Sequence, residues 1–381
     1  MTMRLVVCLM VISMMATNAT AQNKSRARDL GDPFDGTPGP LNAITDVKGV
    51  TVGHSTLISG QGKLKVGEGP VRTGVTAVFP RGKDSPDLAF AGWFSLNGNG
   101  EMTGTTWIEE SGFLEGPVLI TNTHSVGIVR DTAIAWWVKR AKSQQAFLLP
   151  VVAETFDGYL NDINGFHVKE KHVVEALESA KAGKVAEGNV GSGTGMIAFE
   201  FKGGIGTSSR KLSENLGDYT VGVLVQANFG LRHQLQIAGV PVGEEIKEGT
   251  FRPRETGSII VVLATDAPLL PHQLKRLARR VSLGLARIGS VAGNSSGDIF
   301  IAFSTANTGA ASDKGPVQLT MLSNEKMSPL FDATVQATEE AIVNAMVAAE
   351  TMVGRDDHKV IALPHDKLKE VLKKYNRLRS E

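Results

Sequence analysis

Residues 257–268 read Gly257-Ser258-Ile259-Ile260-Val261-Val262-Leu263-Ala264-Thr265-Asp266-Ala267-Pro268. An unbroken apolar run, mostly β-branched, opened by glycine and closed by Asp-Ala-Pro, predicts a short strand buried on both faces. Two further runs of this kind lie at 148–153 and 219–227, and Asp298-Ile-Phe-Ile-Ala-Phe-Ser304 is another strand. Shorter β-branched runs bounded by Gly or Pro at 49–54, 74–80 and 116–122 add more. Residues 132–140 and 171–182 read as helical. Residues 272–288 form an amphipathic helix, with Leu274, Leu277, Ala278, Val281 and Leu285 on one side and Lys275, Arg276, Arg279 and Arg280 on the other. Ser328-Pro329 supplies an N-cap and an N1 proline for a helix to about Val353, and 366–379 reads as a basic, exposed C-terminal helix. The elements do not alternate β-α-β-α, which predicts a layered α/β sandwich rather than a doubly wound sheet.

Immediately before the buried strand, residues 241–256 look like a linker. They are polar, carry Glu244-Glu245 and Lys247-Glu248, and end Arg252-Pro-Arg-Glu-Thr-Gly257. A charged loop running straight into a buried strand is unusual. A serine at the first strand position, after a glycine that tolerates close backbone approach, is what an N-terminal nucleophile needs. If the 257–258 bond breaks, Ser258 gains an α-amine of pKa about 7.7–8.0, a base beside the hydroxyl it must activate. An ordinary strand start fits the same residues.

Composition narrows the classes. The 381 residues include 40 Lys+Arg against 39 Asp+Glu, a net charge of +1, so no basic field points to nucleic acid or an anionic membrane. Cys8, the only cysteine, lies in the first few residues, which excludes a disulfide scaffold, a zinc–cysteine site and a cysteine nucleophile for the mature chain. Arg4, the apolar residues 5–15 and Ala19-Thr20-Ala21 form a signal-peptide pattern, so residues 1–21 are expected to be removed and the product to be periplasmic or secreted. No later stretch reaches the ~18 apolar residues of a membrane span.

Few motifs carry chemistry alone. Gly191-Ser-Gly-Thr-Gly195 lacks phosphate-loop spacing and reads as a glycine turn. His167 and His172 are five apart, which suits neither a helix face nor a strand face, and no metal site is expected. Gly293-Asn-Ser295-Ser-Gly297 matches G-x-S-x-G, but here a helix precedes and a strand follows, the reverse of a hydrolase elbow. Ser295, Ser296 and Asp298 form a polar trio at the mouth of a buried strand, which turn chemistry also explains.

Several segments together carry a resemblance. These are Arg26-Ala-Arg-Asp-Leu-Gly31, Asn42-Ala-Ile-Thr-Asp-Val-Lys-Gly-Val-Thr-Val-Gly-His54 and Asn97-Gly-Asn-Gly-Glu-Met-Thr-Gly104. Glu154-Thr-Phe-Asp-Gly-Tyr-Leu-Asn-Asp-Ile-Asn-Gly165, Gln226-Ala-Asn-Phe-Gly230, Ala264-Thr-Asp-Ala-Pro-Leu269 and Ser296-Gly-Asp-Ile-Phe-Ile-Ala-Phe-Ser304 complete the set. With them the chain resembles the DmpA/BapA family of L-aminopeptidase/D-esterases and β-peptidyl aminopeptidases. That resemblance implies a four-layer α-β-β-α sandwich, Ntn-hydrolase-like with ornithine-acetyltransferase-like connectivity. It implies a precursor that cuts itself between Gly257 and Ser258 into an α subunit (22–257) and a β subunit (258–381), both parts of one catalytic domain.

The resemblance also implies roles. Ser258 matches the nucleophile, Asn228 the oxyanion donor, and Ser296 a serine hydrogen-bonded near the nucleophile. Asp298 stands where the family's acidic partner, often Glu, is expected. Glu154 matches the carboxylate that holds the substrate's ammonium. Phe156 lies where the D-esterase type carries a tyrosine, which points specificity toward the β-peptidyl branch. Expected substrates are short peptides, amides or esters, with no metal or organic cofactor, and the assembly is expected to be a homo-oligomer of αβ heterodimers, a tetramer by resemblance. Two alternatives stay open: an acyltransferase of the ornithine-acetyltransferase type, and a non-catalytic periplasmic binding protein.

Overall fold

The computed structural model describes residues 24–140 and 147–379, so the expected signal peptide, 1–21, lies outside the described residues. In chain order the elements are β1 (Thr51–Ser59), β2 (Val71–Phe79), β3 (Ala89–Ser95), α1 (Thr105–Ser111), β4 (Phe113–Leu114), β5 (Val118–Asn122), α2 (Val126–Arg140), β6 (Val151–Thr155) and α3 (Glu170–Glu178). There follow β7 (Ile197–Ala198), β8 (Phe201–Lys202), β9 (Gly204–Lys211), β10 (Thr220–Asn228), α4 (Val242–Glu245), β11 (Ser258–Thr265), α5 (Pro271–Arg287), β12 (Asp298–Ser304), α6 (Ser328–Val347), β13 (Met352–Val353), β14 (Lys359–Val360) and α7 (His365–Lys374).

One large sheet has the order β1-β2-β5-β6 and a second β4-β3-β12-β11-β10-β9, beside two two-stranded pairs, β7-β8 and β13-β14. Each large sheet contains one parallel pair, β5/β6 and β11/β12, spanned by a crossover that carries a helix, α2 and α5 respectively; the remaining pairs are antiparallel. Strand β11 shows why its run must be apolar throughout. Ile259, Val261 and Leu263 join a cluster with α5 and α6, while Ile260, Val262 and Ala264 join a second cluster with residues of the first sheet, among them Val78, Ile120 and Ala153. Successive side chains point to opposite faces, and both faces are covered. A third cluster packs Val75, Ala77, Leu119 and Val152 against α2 and α3.

Helices reach the sheets through glycines. A Cβ on Gly53 of β1 would lie 2.1 Å from the Ala176 carbonyl oxygen of α3, one on Gly92 of β3 2.4 Å from the Lys275 nitrogen of α5, and one on Gly206 of β9 2.0 Å from the Ala341 oxygen of α6. Backbone therefore touches backbone at all three contacts.

The structure departs from the sequence expectations in several places. The helix predicted to Val353 ends at Val347, because Met352–Val353 pair with Lys359–Val360 instead, and Met327 rather than Ser328 is its N-cap. The C-terminal helix stops at Lys374 and buries Leu368, Val371 and Leu372, so only part of its surface is exposed. The 241–256 segment is docked, with Val242 and Ile246 buried. Strand β9 goes unrecognised in sequence because its buried residues are polar: Ser208 Oγ donates to Ala337 O at 2.6 Å, and Arg210 pairs with Glu340 at 2.8 Å. Arg28 reaches the same carboxylate with two 2.8 Å hydrogen bonds, and Ala27 N donates to Asn344 Oδ1 at 3.0 Å. The Arg26–Gly31 motif thus anchors an N-terminal arm along α6.

Gly206→Ala is expected to force β9 and α6 apart and to lower stability by about 1–3 kcal/mol, the usual cost of overpacking. Gly127→Ala, in the exposed first turn of α2 with nothing within 4 Å, is expected to be neutral or to stabilise by up to about 1 kcal/mol. Chemical denaturation midpoints of the two variants check the contrast.

Candidate active site

Strand register assembles the site. Antiparallel pairing puts Asn228, the last residue of β10, opposite Ser258, the first of β11. Parallel pairing puts Asp298, the first of β12, opposite Ile259. Three polar residues therefore meet at one end of three adjacent apolar strands. Ser258 is only 6% exposed, and its Oγ accepts a hydrogen bond from Gly297 N at 3.0 Å. Gly257 is there for space: a Cβ on it would stand 1.8 Å from the Asn228 carbonyl oxygen.

The Asn228 amide is held in one orientation. Its Oδ1 accepts from Ile197 N at 2.8 Å, and its Nδ2 donates to Phe156 O at 2.9 Å. A side-chain amide has two N–H groups, so the second is left for an incoming oxygen. Beside it, Ser296 Oγ donates to Asp298 Oδ1 at 2.6 Å, and Asp298 N donates to Asn97 Oδ1 at 2.6 Å. Burial pushes the Asp298 carboxyl up to about 6, against the Ser296 hydrogen bond and reinforced by the charge of Glu255. Ser295, the third member of the sequence trio, contributes its carbonyl to Asn99 Nδ2 at 2.6 Å.

Glu154 does not end its strand facing water. It lies inside β6, 3% exposed, accepting from Glu101 N at 3.0 Å and from the Thr123 hydroxyl. Burial raises its carboxyl above the usual range, against those hydrogen bonds, and among the described residues no lysine or arginine pairs with it. Gly100 separates it from the loop before β12: a Cβ there would be 3.2 Å from Glu154 Oε1 and 3.3 Å from Gly297 Cα. The buried carboxylate and the turn whose Gly297 N–H donates to Ser258 Oγ thus face one another across a single glycine. Phe156 gives its carbonyl to Asn228 and leaves its ring 44% exposed.

Sequence reasoning assigned no role to Asn97, Gly297, Lys202 or Glu255. Lys202 is fully buried, and its Nζ donates to Met196 O at 2.7 Å, Gly203 O at 2.9 Å and Gly193 O at 3.3 Å. Burial pulls its ammonium well below lysine's ordinary value. It ties together the hairpin β7–β8, whose Ile197 N–H orients Asn228. The available signal was a lone lysine within Met196-Ile-Ala-Phe-Glu-Phe-Lys-Gly-Gly204. His167 and His172 make local hydrogen bonds, to Asp162 Oδ2 at 2.8 Å and from Lys169 N at 3.0 Å.

A buried serine hydroxyl, an oriented amide donor, a buried Ser–Asp pair and a buried unpaired carboxylate can attack a carbonyl, hold its oxyanion, and bind a cation next to it. Comparison with known proteins finds peptidases. Residues 42–360 match the model of peptidase family S58. The β-peptidyl aminopeptidase BapA of Sphingosinicella microcystinivorans is 54% identical, with 97% of each chain covered. An L-aminopeptidase D-Ala-esterase/amidase of Ochrobactrum anthropi, described as a prototype for the serine aminopeptidases and a new variant of the Ntn hydrolase fold, superposes with a TM-score of 0.87 at 50% identity. The match covers 93% of this chain and 100% of that one. A Burkholderia sp. β-aminopeptidase superposes with a TM-score of 0.86 at 49% identity, covering 92% and 99%.

The Asp298 carboxyl gives a signed prediction. Its folded value, about 6, lies above its ordinary value of 3.8, so the folded state binds the extra proton between these limits. Stability from this group is therefore full below about pH 3.8 and is lost as pH rises through about 6. In a chain carrying Ser258→Ala, adding Asp298→Asn is expected to remove a fall of up to about 3 kcal/mol between pH 4 and 7. Urea unfolding at several pH values checks it; parallel profiles with and without Asp298 count against it.

Proposed function

From the premise that the chain belongs to peptidase family S58, we propose how its residues carry the activity. The chain is an aminopeptidase of the β-peptidyl type. With the family established, the acyltransferase and the non-catalytic binding protein have no support of their own.

Self-cleavage comes first. Ser258 Oγ attacks the Gly257 carbonyl carbon, the C–N bond breaks, and the acyl group passes to oxygen while the nitrogen becomes the Ser258 amine. Water hydrolyses the ester, giving an α subunit ending in the Gly257 carboxylate and a β subunit beginning with Ser258. The register that sets Gly257 onto Asn228 and Ser258 beside Gly297 is the single observation that carries this reading.

In turnover the Ser258 amine takes the proton from Oγ, which attacks the carbonyl of the substrate's first residue. Asn228 donates its remaining N–H to the oxyanion, a contribution of about 3–4 kcal/mol for a good donor. The proton passes to the leaving amine, and water releases the first residue from the serine ester. Ser296 and Asp298 orient the nucleophile and its amine. Glu154 binds the substrate's ammonium, so only N-terminal residues are released. Phe156, with its ring open to solvent, borders the substrate and supplies no hydroxyl, in keeping with β-residues.

The fold is a four-layer α-β-β-α sandwich of Ntn-hydrolase type, a reading supported by the three apolar clusters between helices, sheet, sheet and helices. Residues 1–21 direct export to the periplasm or beyond. The αβ units form a homo-oligomer; the exposed, alternating Val317, Leu319 and Met321 support a contact surface. Short peptides, amides and esters are the substrates.

A denaturing gel is expected to show residues 22–257 and 258–381 as two chains, the smaller beginning with Ser258 by N-terminal sequencing, while Ser258→Ala stays intact, folded and inactive. A smaller chain beginning at Ser295 or Ser296 would move the nucleophile. Glu154→Gln is expected to process normally, because the precursor loop carries no free amine there. It should lose about 2–4 kcal/mol in kcat/KM on substrates with a free amino terminus. Wild-type enzyme turning over N-acetylated substrates equally well would remove the ammonium role.

A further inference from the structure

Residues 251–257 are held at three points. Glu200 Oε2 accepts from Phe251 N at 2.5 Å and Arg252 N at 3.0 Å, while its Oε1 accepts from Arg232 N at 3.1 Å. At the far end Gly257 lies against the Asn228 carbonyl. Between them stands Glu255, 9% exposed, whose carboxylate does the reverse of Glu200: a side chain of the linker receives N–H groups of the body. Its Oε1 accepts from Gly230 N at 2.8 Å, and its Oε2 from Gly293 N at 3.1 Å.

Those two amides belong to the two segments that build the site. Gly230 lies two residues beyond Asn228. Gly293 opens the turn that carries Ser296, whose N–H donates to Gly293 O at 2.9 Å, and the Gly293 carbonyl also receives Asn97 Nδ2 at 3.3 Å. The approach depends on missing side chains: a Cβ on Gly293 would stand 2.2 Å from Glu255 Oε2. Glu255 is three residues from the scissile bond, and one carboxylate there fixes the linker to both walls at once. Charge-assisted hydrogen bonds to a carboxylate are among the stronger ones.

Resting on the reading that the chain cuts itself at Gly257–Ser258, we infer that Glu255 is the positioning residue for that step: its carboxylate, shared between the Gly230 and Gly293 amides, holds the Gly257 carbonyl carbon in reach of Ser258 Oγ. It touches neither reacting atom. Its part is to restrict the linker to the conformer in which attack occurs, and small misplacements of a reacting group are known to cost large factors in rate.

The test follows the appearance of the chain beginning with Ser258 after refolding the full precursor. Glu255→Ala is expected to slow processing about 10- to 100-fold. Glu255→Gln, which keeps the reach and one acceptor, should fall between Ala and wild type. Thermal midpoints of the same substitutions in the uncleavable Ser258→Ala chain separate position from stability. The Gln variant should process slowly yet melt within about 3 °C of its parent. If Glu255→Ala does not fold, the Gln variant alone decides. Processing at the wild-type rate, or a rate loss matched by a collapse in melting temperature, overturns the assignment of Glu255. A wild-type chain that is not cut before Ser258 overturns the reading beneath it as well.

Discussion

The close approach of Gly257 to the Asn228 carbonyl is the constraint on which the site depends. A Cβ would stand 1.8 Å from that oxygen, so no other residue allows β10 and β11 to pair up to their last rung. That final rung brings the Asn228 amide beside the Ser258 hydroxyl. The parallel neighbour β12 then brings in Asp298, and the turn before it supplies the Gly297 N–H on Ser258 Oγ. Chemistry sits at the strand ends because strand interiors are filled by Ile, Val and Leu packed on both faces.

Around this rung the fold keeps charge buried by surrounding it with hydrogen bonds. Glu154 is met by Glu101 N and Thr123, Asp298 by Ser296 and Asn97, and Lys202 by three carbonyls. The carboxyls of Glu154 and Asp298 still sit above their ordinary values, because burial outweighs those bonds. Glu154, which no lysine or arginine pairs with among the described residues, is a buried carboxylate that gains most when a cation reaches it.

Backbone strain is stored in the same neighbourhood. Phe199 and Glu200, with φ of 49° and 62°, make the turn between β7 and β8 in a conformation that costs non-glycine residues roughly 1–2 kcal/mol each. The turn is held by Phe199 N donating to Phe229 O and by the three N–H groups on Glu200. One strained hairpin thus orients the Asn228 amide through Ile197 and grips the linker through Glu200.

Much of this was legible in the residues alone. The continuous apolar run after Ser258, the Gly before it and the charged segment ahead marked the strand that Ser258 begins, since local pattern reports burial on both faces. The central strands at 219–227, 258–264 and 298–304 followed from the same rule and the amphipathic helix after Pro271 from its one-sided apolar pattern, while the motif resemblance named Asn228, Ser296, Asp298 and Glu154 as candidates. Strand β9 was not legible, because Thr207, Ser208, Ser209 and Arg210 are polar and their burial depends on partners far along the chain, Asp46, Ala337 and Glu340 among them. Nor was the clamp at Glu255, an ordinary charged residue in a charged loop until Gly230 and Gly293 are brought to it from opposite sides. Local pattern determined which segments are buried strands and where the serine begins one; only the tertiary structure decided which distant amides and carboxylates meet there, because those pairings are set by sheet register and turn geometry rather than by neighbours in sequence.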